Sequence, residues 1–263
     1  MAEPYAKRPT LGIAVLTLNE ARRIEPCLLS PAIAHRIVVV DSGSTDGTRE
    51  RAQALNAEVH VHADWQGFAE QRTRALAHLN TDYVFFLDAD EEITPALRAE
   101  IEMAVASNED ATWRVWWDEV AFGRALTRMK PRGGIQRLFR RATLERFDGL
   151  VHEAPVLRHA VPAHALRARL LHHSRPTVYG SLRKLAQYVQ LGAAKRGAQG
   201  KKGGVLRGAV MGWVVFLRVY LFQRAILCGG PGFLYALFIA LETFFRYAAL
   251  RYDAPEASDP ALR

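Results

Sequence analysis

Cysteine is nearly absent: of 263 residues only Cys27 and Cys228 carry a thiol, far apart and without a CxxC partner. A disulfide scaffold and a structural zinc ribbon are thereby excluded. No GxGxxG turn follows the first apolar run, so the loop that would cradle a dinucleotide's pyrophosphate is missing and an NAD enzyme is not expected. The first ten residues are polar and proline-bearing, and the apolar run 11–18 meets Asn19 and Glu20 without a small-residue cleavage site, so no signal peptide is expected. Unbroken apolar runs of the roughly 20 residues that a spanning helix needs are also lacking. The two most apolar stretches, 209–222 and 225–241, are interrupted by Arg218 and by Gly229, Gly230, Pro231 and Gly232. The five histidines at 152, 159, 164, 172 and 173 fit no HxxxH or HExxH helix spacing, so they read as scattered structural or phosphate-facing groups rather than as a zinc site.

What is present is a hydrophobic fraction of 49% against 24% charged residues, enough for a packed core. Charge is unevenly placed. Residues 1–110 hold 10 Lys/Arg against 18 Asp/Glu, whereas residues 111–263 hold 25 against 9. A basic half suits nucleic acid, an anionic membrane or a phosphorylated substrate, and net charge does not choose among them. Within 195–251 nine Lys/Arg face a single acid, Glu242, among frequent Phe, Tyr and Trp. That combination predicts an interfacial segment lying on an anionic membrane surface, with packing on the core or a homodimer interface as the alternative.

The first hundred residues alternate between short apolar runs (11–17, 36–40, 58–61, 83–87) and helical patterns (19–29, 46–56, 67–79). Such alternation predicts right-handed crossovers and an α/β fold, a largely parallel sheet with helices on both faces. Further strands are expected at 113–120, 136–140 and 167–171, and helices from Thr177 onward. Three portions follow: an N-terminal nucleotide-binding half at 1–110, a middle acceptor-binding portion at 111–176, and a helical, basic and apolar region at 177–263.

In an open parallel sheet ligands bind at the carboxyl ends of the strands. The second strand ends in Asp41-Ser42-Gly43-Ser44-Thr45-Asp46-Gly47-Thr48, an acid followed by a hydroxyl-rich turn into a helix. Helix capping accounts for Ser44, Thr45 and Asp46, while Asp41 is placed to accept hydrogen bonds from a ribose or base. A later core strand ends in Asp88-Ala89-Asp90-Glu91-Glu92. Carboxylates crowded at a strand tip repel one another unless a cation neutralises them, and Mg²⁺ or Mn²⁺ prefers such oxygens.

The succession Thr17-Leu18-Asn19-Glu20, Val40-Asp41-Ser42-Gly43-Ser44-Thr45-Asp46-Gly47-Thr48 and Leu87-Asp88-Ala89-Asp90-Glu91 resembles the motifs of family 2 glycosyltransferases with the GT-A fold. The Asp-Ala-Asp-Glu form, Val151-His152-Glu153 and Gly229-Gly230-Pro231-Gly232-Phe233 resemble more narrowly the bacterial lipopolysaccharide core β-glucosyltransferases. The resemblance runs from Leu11 to about Tyr252. It implies a GT-A (Rossmann-like) mixed, mostly parallel sheet with a membrane-associating helical tail, and an inverting transfer of a hexose from a nucleotide-sugar donor. Carried over residue by residue, Thr17, Asn19, Glu20 and Asp41 line the nucleoside pocket, and Arg72, Asp88 and Ala89 complete the nucleotide-sugar site. Asp90 binds the metal, Mg²⁺ or Mn²⁺. Thr73 departs from the family's pattern, which often has asparagine after the arginine.

An inverting displacement needs a general base for the acceptor hydroxyl, and Glu153 is the candidate, with Asp148 as runner-up and Glu91 third. The basic run Arg128, Lys130, Arg132, Arg137, Arg140 and Arg141 is either a solvated face or a holder of diphosphate or anionic acceptor. The expected reaction moves glucose from a UDP donor to a lipid-anchored saccharide acceptor such as the inner core of lipopolysaccharide, on the cytoplasmic face of the inner membrane. An ADP-heptose donor or a polyprenyl-phosphate acceptor is the alternative within the fold. Outside it stands an anionic-lipid or nucleic-acid binding module with a vestigial nucleotide site; clustered acids at a strand tip would weaken polyanion binding, so no nucleic-acid partner is expected.

Overall fold

The computed structural model describes residues 8–149 and 153–253, which form two compact units, one of residues up to 117 with 132–172 and one of 118–131 with 173 onward. In chain order the strands are β1 (Leu11–Thr17), β2 (Arg36–Asp41), β3 (Glu58–Val61), β4 (Tyr83–Asp88), β5 (Glu91–Ile93), β6 (Thr112–Ala121), β7 (Arg124–Ala125), β8 (Arg132–Arg140), β9 (Leu144–Asp148), β10 (Ala154–Leu157) and β11 (Ala163–Arg175). The helices are α1 (Ile24–Leu29), α2 (Thr48–Ala54), α3 (Phe68–Ala77), α4 (Pro95–Ala106), α5 (Val178–Ala198), α6 (Val205–Leu217) and α7 (Gly229–Tyr252), with a π-helical turn at Arg218–Phe222 and a 3-10 turn at Ala225–Cys228.

The main sheet runs β3-β2-β1-β4-β8-β6-β11-β5, with β7 beside β6, and β9 pairs with β10 apart from it. β3, β2, β1 and β4 are parallel, whereas β8 is antiparallel to both β4 and β6. The sheet is therefore mixed, parallel in its first half and antiparallel beyond β4. All seven residues of β1 are buried, as is Val38–Asp41 of β2, which is why those runs do not alternate with polar residues. Helices pack on both faces around Ile13, Val15, Phe85 and Leu87 on one side and Ala14, Val38, Val84 and Phe86 on the other.

Register decides where the strand tips fall. Thr17 of β1 lies level with Asp41 of β2, and Leu16 lies level with Asp88 of β4. β5 follows β4 after a two-residue turn and pairs antiparallel with β11, setting His172 opposite Glu91. α4 begins at a Thr94 cap whose hydroxyl accepts the Leu97 N–H, with Pro95 in the first turn where its missing N–H costs nothing. Helix α4 and strands β5, β7, β9 and β10 are absent from the sequence-based expectation, and the helix expected over 19–29 begins only at Ile24.

In the second unit, α6 with the π turn (Val205–Phe222) and the stretch Ala225–Tyr252 are long and apolar enough to cross a bilayer by length and composition. The glycines at 229–232 do not break a helix; they start one. α6 approaches α7 closely because Gly208 and Gly212 are small: a Cβ at Gly208 would stand 2.8 Å from the Phe244 carbonyl, and one at Gly212 3.2 Å from that of Ala240. Such four-residue glycine spacing lets helix backbones touch.

Candidate active site

The loop after β2 is held by its own side chains. Asp41 is fully buried, and its Oδ1 accepts the N–H groups of Gly43 at 3.0 Å and Ser44 at 2.8 Å, while Oδ2 accepts the Ser44 hydroxyl. Ser44 Oγ in turn accepts the Asn19 N–H at 2.8 Å, and Asn19 Oδ1 accepts the Thr45 N–H at 2.9 Å. Asn19 adopts a φ of 55°, a conformation asparagine tolerates better than most residues. The Glu20 N–H donates to Thr48 Oγ1 at 2.9 Å, and Asp46 accepts both the N–H and the hydroxyl of Thr48, so Asp46 does serve the start of α2. Thr17 Oγ1 is buried without a hydrogen-bond partner. Thr17, Asn19, Glu20 and Asp41 are thus brought together at the ends of β1 and β2.

A second group gathers at the tip of β4. Arg72 of α3 donates through Nη2 to Asp88 Oδ1 at 2.9 Å and through Nε to Glu153 Oε1 at 3.4 Å. Arg137 of β8, 2% exposed, donates through Nη2 to Asp88 Oδ2 and to Glu91 Oε1, both at 2.7 Å. The Glu91 carboxylate also accepts from Trp117 Nε1 at 2.7 Å and from the Asp88 N–H at 2.9 Å. The expectation that the acid cluster requires a metal for neutralisation is met differently at Asp88 and Glu91, where buried guanidiniums supply the positive charge. Arg72 Nη1 and Arg137 Nε and Nη1 are buried donors without a partner.

These contacts shape the electrostatics. Desolvation alone would raise the Asp88 carboxyl, but Arg137 and Arg72 hold it well below the usual carboxylate range. Burial pushes the Glu91 carboxyl up to about 7, helped by the charge of Asp88 and opposed by Arg137. Cys27, whose thiol lies 3.5 Å from the Asp88 carbonyl oxygen, is raised by burial and then by the neighbouring acids, which leaves it an unreactive thiol.

Arg72, Asp88, Glu91, Arg137, Glu153 and His172 line one cleft of about 620 Å³. Asp90 adjoins it, with Oδ2 3.6 Å from His172 Nε2. Ala89 is buried, and its N–H donates to the Leu16 carbonyl at 3.3 Å, tying the acidic turn to β1. Asp148 ends β9 opposite Ala154, is exposed, and accepts its own loop's Gly149 N–H at 2.7 Å; it is not among the cleft's lining residues. Val151 and His152 lie outside the described residues.

Thr73 has a defined part. Its hydroxyl donates to the Ala69 carbonyl at 2.9 Å and accepts the Phe147 N–H at 3.0 Å, joining α3 to β9 and so to the hairpin that leads into Glu153. The basic run is neither solvated face nor anion holder throughout: Arg128 and Lys130 are exposed, but Arg137 is buried in ion pairs, Arg140 stacks 5.0 Å over Tyr83, and Arg141 donates to the Leu79 carbonyl. Arg137 and His172 are the cleft residues whose placement the sequence did not reveal.

A parallel half-sheet with an acidic tip and a charged cleft beside it is the arrangement of an α/β protein whose ligands meet the carboxyl ends of the strands. Residues 13–169 match the family model described as Glycosyl transferase family 2, and the chain belongs to that family. It is 30% identical over 91% of its length to the lipopolysaccharide core biosynthesis glycosyltransferase LpsC of Rhizobium meliloti (strain 1021), covering 91% of that protein. It is 29% identical over its whole length to a glycosyltransferase of Rickettsia bellii (strain RML369-C), covering 92% of it. Among solved structures, glucosyl-3-phosphoglycerate synthase from Mycobacterium tuberculosis, in complex with Mn²⁺, uridine diphosphate and glucosyl-3-phosphoglycerate, is 21% identical with a TM-score of 0.45, over 68% of this chain and 75% of that one. The mixed sheet flanked by helices accords with the GT-A fold expected of that family, and the chain is a glycosyltransferase rather than a binding module.

Proposed function

We propose that the chain catalyses inverting transfer of a hexose, glucose in the first instance, from a UDP-sugar to a lipid-anchored saccharide acceptor such as the inner core of lipopolysaccharide. The observation that carries this reading is that Glu153 shares one cleft with Asp88 and His172, beside Asp90. The similarity to LpsC supports the acceptor class.

In the reaction, the acceptor hydroxyl oxygen forms a bond to the anomeric carbon while the bond from that carbon to the donor's phosphate oxygen breaks. The electron pair leaves with the nucleoside diphosphate, and Glu153 takes the hydroxyl proton. Arg72, bonded to both Asp88 and Glu153, fixes the base relative to the strand tip, a positioning role. Thr17, Asn19, Glu20 and Asp41 shape the nucleoside end. Asp90, with His172 beside it, would hold the divalent cation, Mn²⁺ more readily than Mg²⁺ because of the imidazole. Such a cation, when bound, neutralises the charge that develops on the leaving group.

Calorimetric titration with UDP, ADP and GDP, with and without Mn²⁺, on the wild type and Asp90→Ala tests this. Metal-dependent binding of UDP alone, lost in the variant, supports it. Preference for ADP redirects the donor toward an ADP-sugar, and absence of any nucleotide binding overturns the reading.

We infer that the second unit docks in the plane of an anionic membrane, on the cytoplasmic face of the inner membrane, where a lipid-anchored acceptor would lie. Leu206, Trp213 and Phe222 are 80%, 62% and 70% exposed, alongside the nine cations of 195–251. α7, about 36 Å long at ~1.5 Å per residue, carries Glu242 near its middle, buried and paired with Arg175 at the end of β11. Ala121, Leu126 and Met129 pack with Val219, Ala225, Tyr235 and Ala236. A spanning α7 would carry that strand end and its ion pair into hydrocarbon, so an in-plane helix set is favoured. Flotation with vesicles containing phosphatidylglycerol, against phosphatidylcholine alone, tests it; equal or absent binding counts against it.

A further inference from the structure

The outer edge of the sheet, away from the cleft, carries a second group of ligating side chains. β3 is the terminal strand of the sheet order, and alternation along it puts Glu58 and His60 on one face. α3 ends at Ala77, and the next residue, His78, lays its ring on His60 with centroids 3.5 Å apart and planes 9° from parallel. Glu58 Oε1 lies 2.7 Å from His60 Nε2. One ligating atom each from Glu58, His60 and His78 falls within 4.8 Å of the other two, and all three residues are partly exposed, so an ion can reach them.

The carboxylate is already oriented. Arg36 donates through Nε to Glu58 Oε2 at 2.9 Å and through Nη1 to Asn80 Oδ1 at 2.9 Å, leaving Oε1 turned toward the imidazoles. Outer-shell partners of this kind fix ligands in metal centres.

We propose that Glu58, His60 and His78 bind one Zn²⁺-class transition-metal ion. Two imidazoles and one carboxylate are the donors such ions prefer, and they suit Mg²⁺ poorly. The ion would join the free edge strand to the end of α3. Helix α3 also carries Gln71, which bonds Ser42 Oγ and the His62 carbonyl, and Arg72, which bonds Asp88 and Glu153, so the ion would brace the helix that serves the cleft. The proposal does not depend on the donor or acceptor assigned above.

The test is calorimetric titration of untagged, full-length Asp90→Ala protein with Zn²⁺ and, separately, Mg²⁺, the substitution removing the cleft as a competitor. The expected result is one saturable equivalent of Zn²⁺, no comparable Mg²⁺ binding, and at least a tenfold weakening on adding His78→Gln or His60→Asn. Co²⁺ should give d–d absorption bands that vanish in the same variants, and Zn²⁺ should raise the melting temperature only where both histidines remain. Zn²⁺ binding untouched by either histidine substitution, or no saturable binding, would overturn the proposal.

Discussion

Forty-nine residues apart in sequence, Arg137 and Asp88 meet through a 2.7 Å bond from Nη2 to Oδ2, and the same nitrogen reaches Glu91. Removing the guanidinium leaves a buried Glu91 and a half-compensated Asp88. Arg137→Met is expected to destabilise the protein by about 3–5 kcal/mol, with Arg137→Lys milder because an ammonium keeps the charge and can serve both carboxylates from one nitrogen. Urea unfolding measures this; a loss under about 1 kcal/mol would show the network to be dispensable.

Glu153 and Asp148 are the two candidate bases, and their variants distinguish them. Glu153→Gln keeps the shape and a hydrogen-bonding amide but cannot take the proton, so kcat should fall about 10²–10⁴-fold with UDP affinity little changed. Asp148→Asn, outside the cleft lining, should leave kcat within a few-fold. Steady-state kinetics on both variants decide it, and the reverse order would make Asp148 the base.

Gly208 is fixed by the approach of α7. A Cβ there meets the Phe244 carbonyl at 2.8 Å, whereas one at Gly230 meets nothing within 4 Å. Gly208→Val should part the helices and cost at least about 1–3 kcal/mol, as overpacking does, and Gly230→Ala should be nearly neutral. Thermal unfolding of the two variants with vesicle binding as a companion readout checks the contrast.

Asp46 gives a pH signature. Its carboxyl is opposed by desolvation but held below its usual range by the hydroxyl and N–H of Thr48 and the N–H of Ala21. A depressed folded-state value stabilises above the unfolded value and is lost as pH falls through the folded one. Asp46→Ala should therefore cost roughly 0.5–1 kcal/mol at pH 7, the net scale of solvent-screened hydrogen bonds, and the gap from wild type should close in acid. A gap independent of pH would assign the effect to packing.

The strand tips were legible because buried parallel strands are continuous apolar runs, and an acid closing such a run, as Asp41 and Asp88 do, stands out. Arg137 was hidden for a physical reason: it sits on a strand that carries Gly133 and Gly134, just after its start, at φ of 106° and 84°, where Trp117 and Trp116 lie against the backbone, so the alternation that marks an inward residue is lost. His172 was hidden because its nearness to Asp90 depends on pairing with β5, three residues long and too short to show a period. The role of Thr73 was equally invisible, since its partner Phe147 is 74 residues away.

The saturation of Asp41 bears on how the enzyme can diversify. Both carboxylate oxygens and the hydroxyl of Ser44 are committed to holding the turn, so neither Asn at 41 nor Ala at 44 can be accepted without leaving a buried group unsatisfied. That turn has little room to drift. Variation would have to arise instead in the cleft and on the hairpin leading to Glu153, where exposed positions can change while this turn stays as it is.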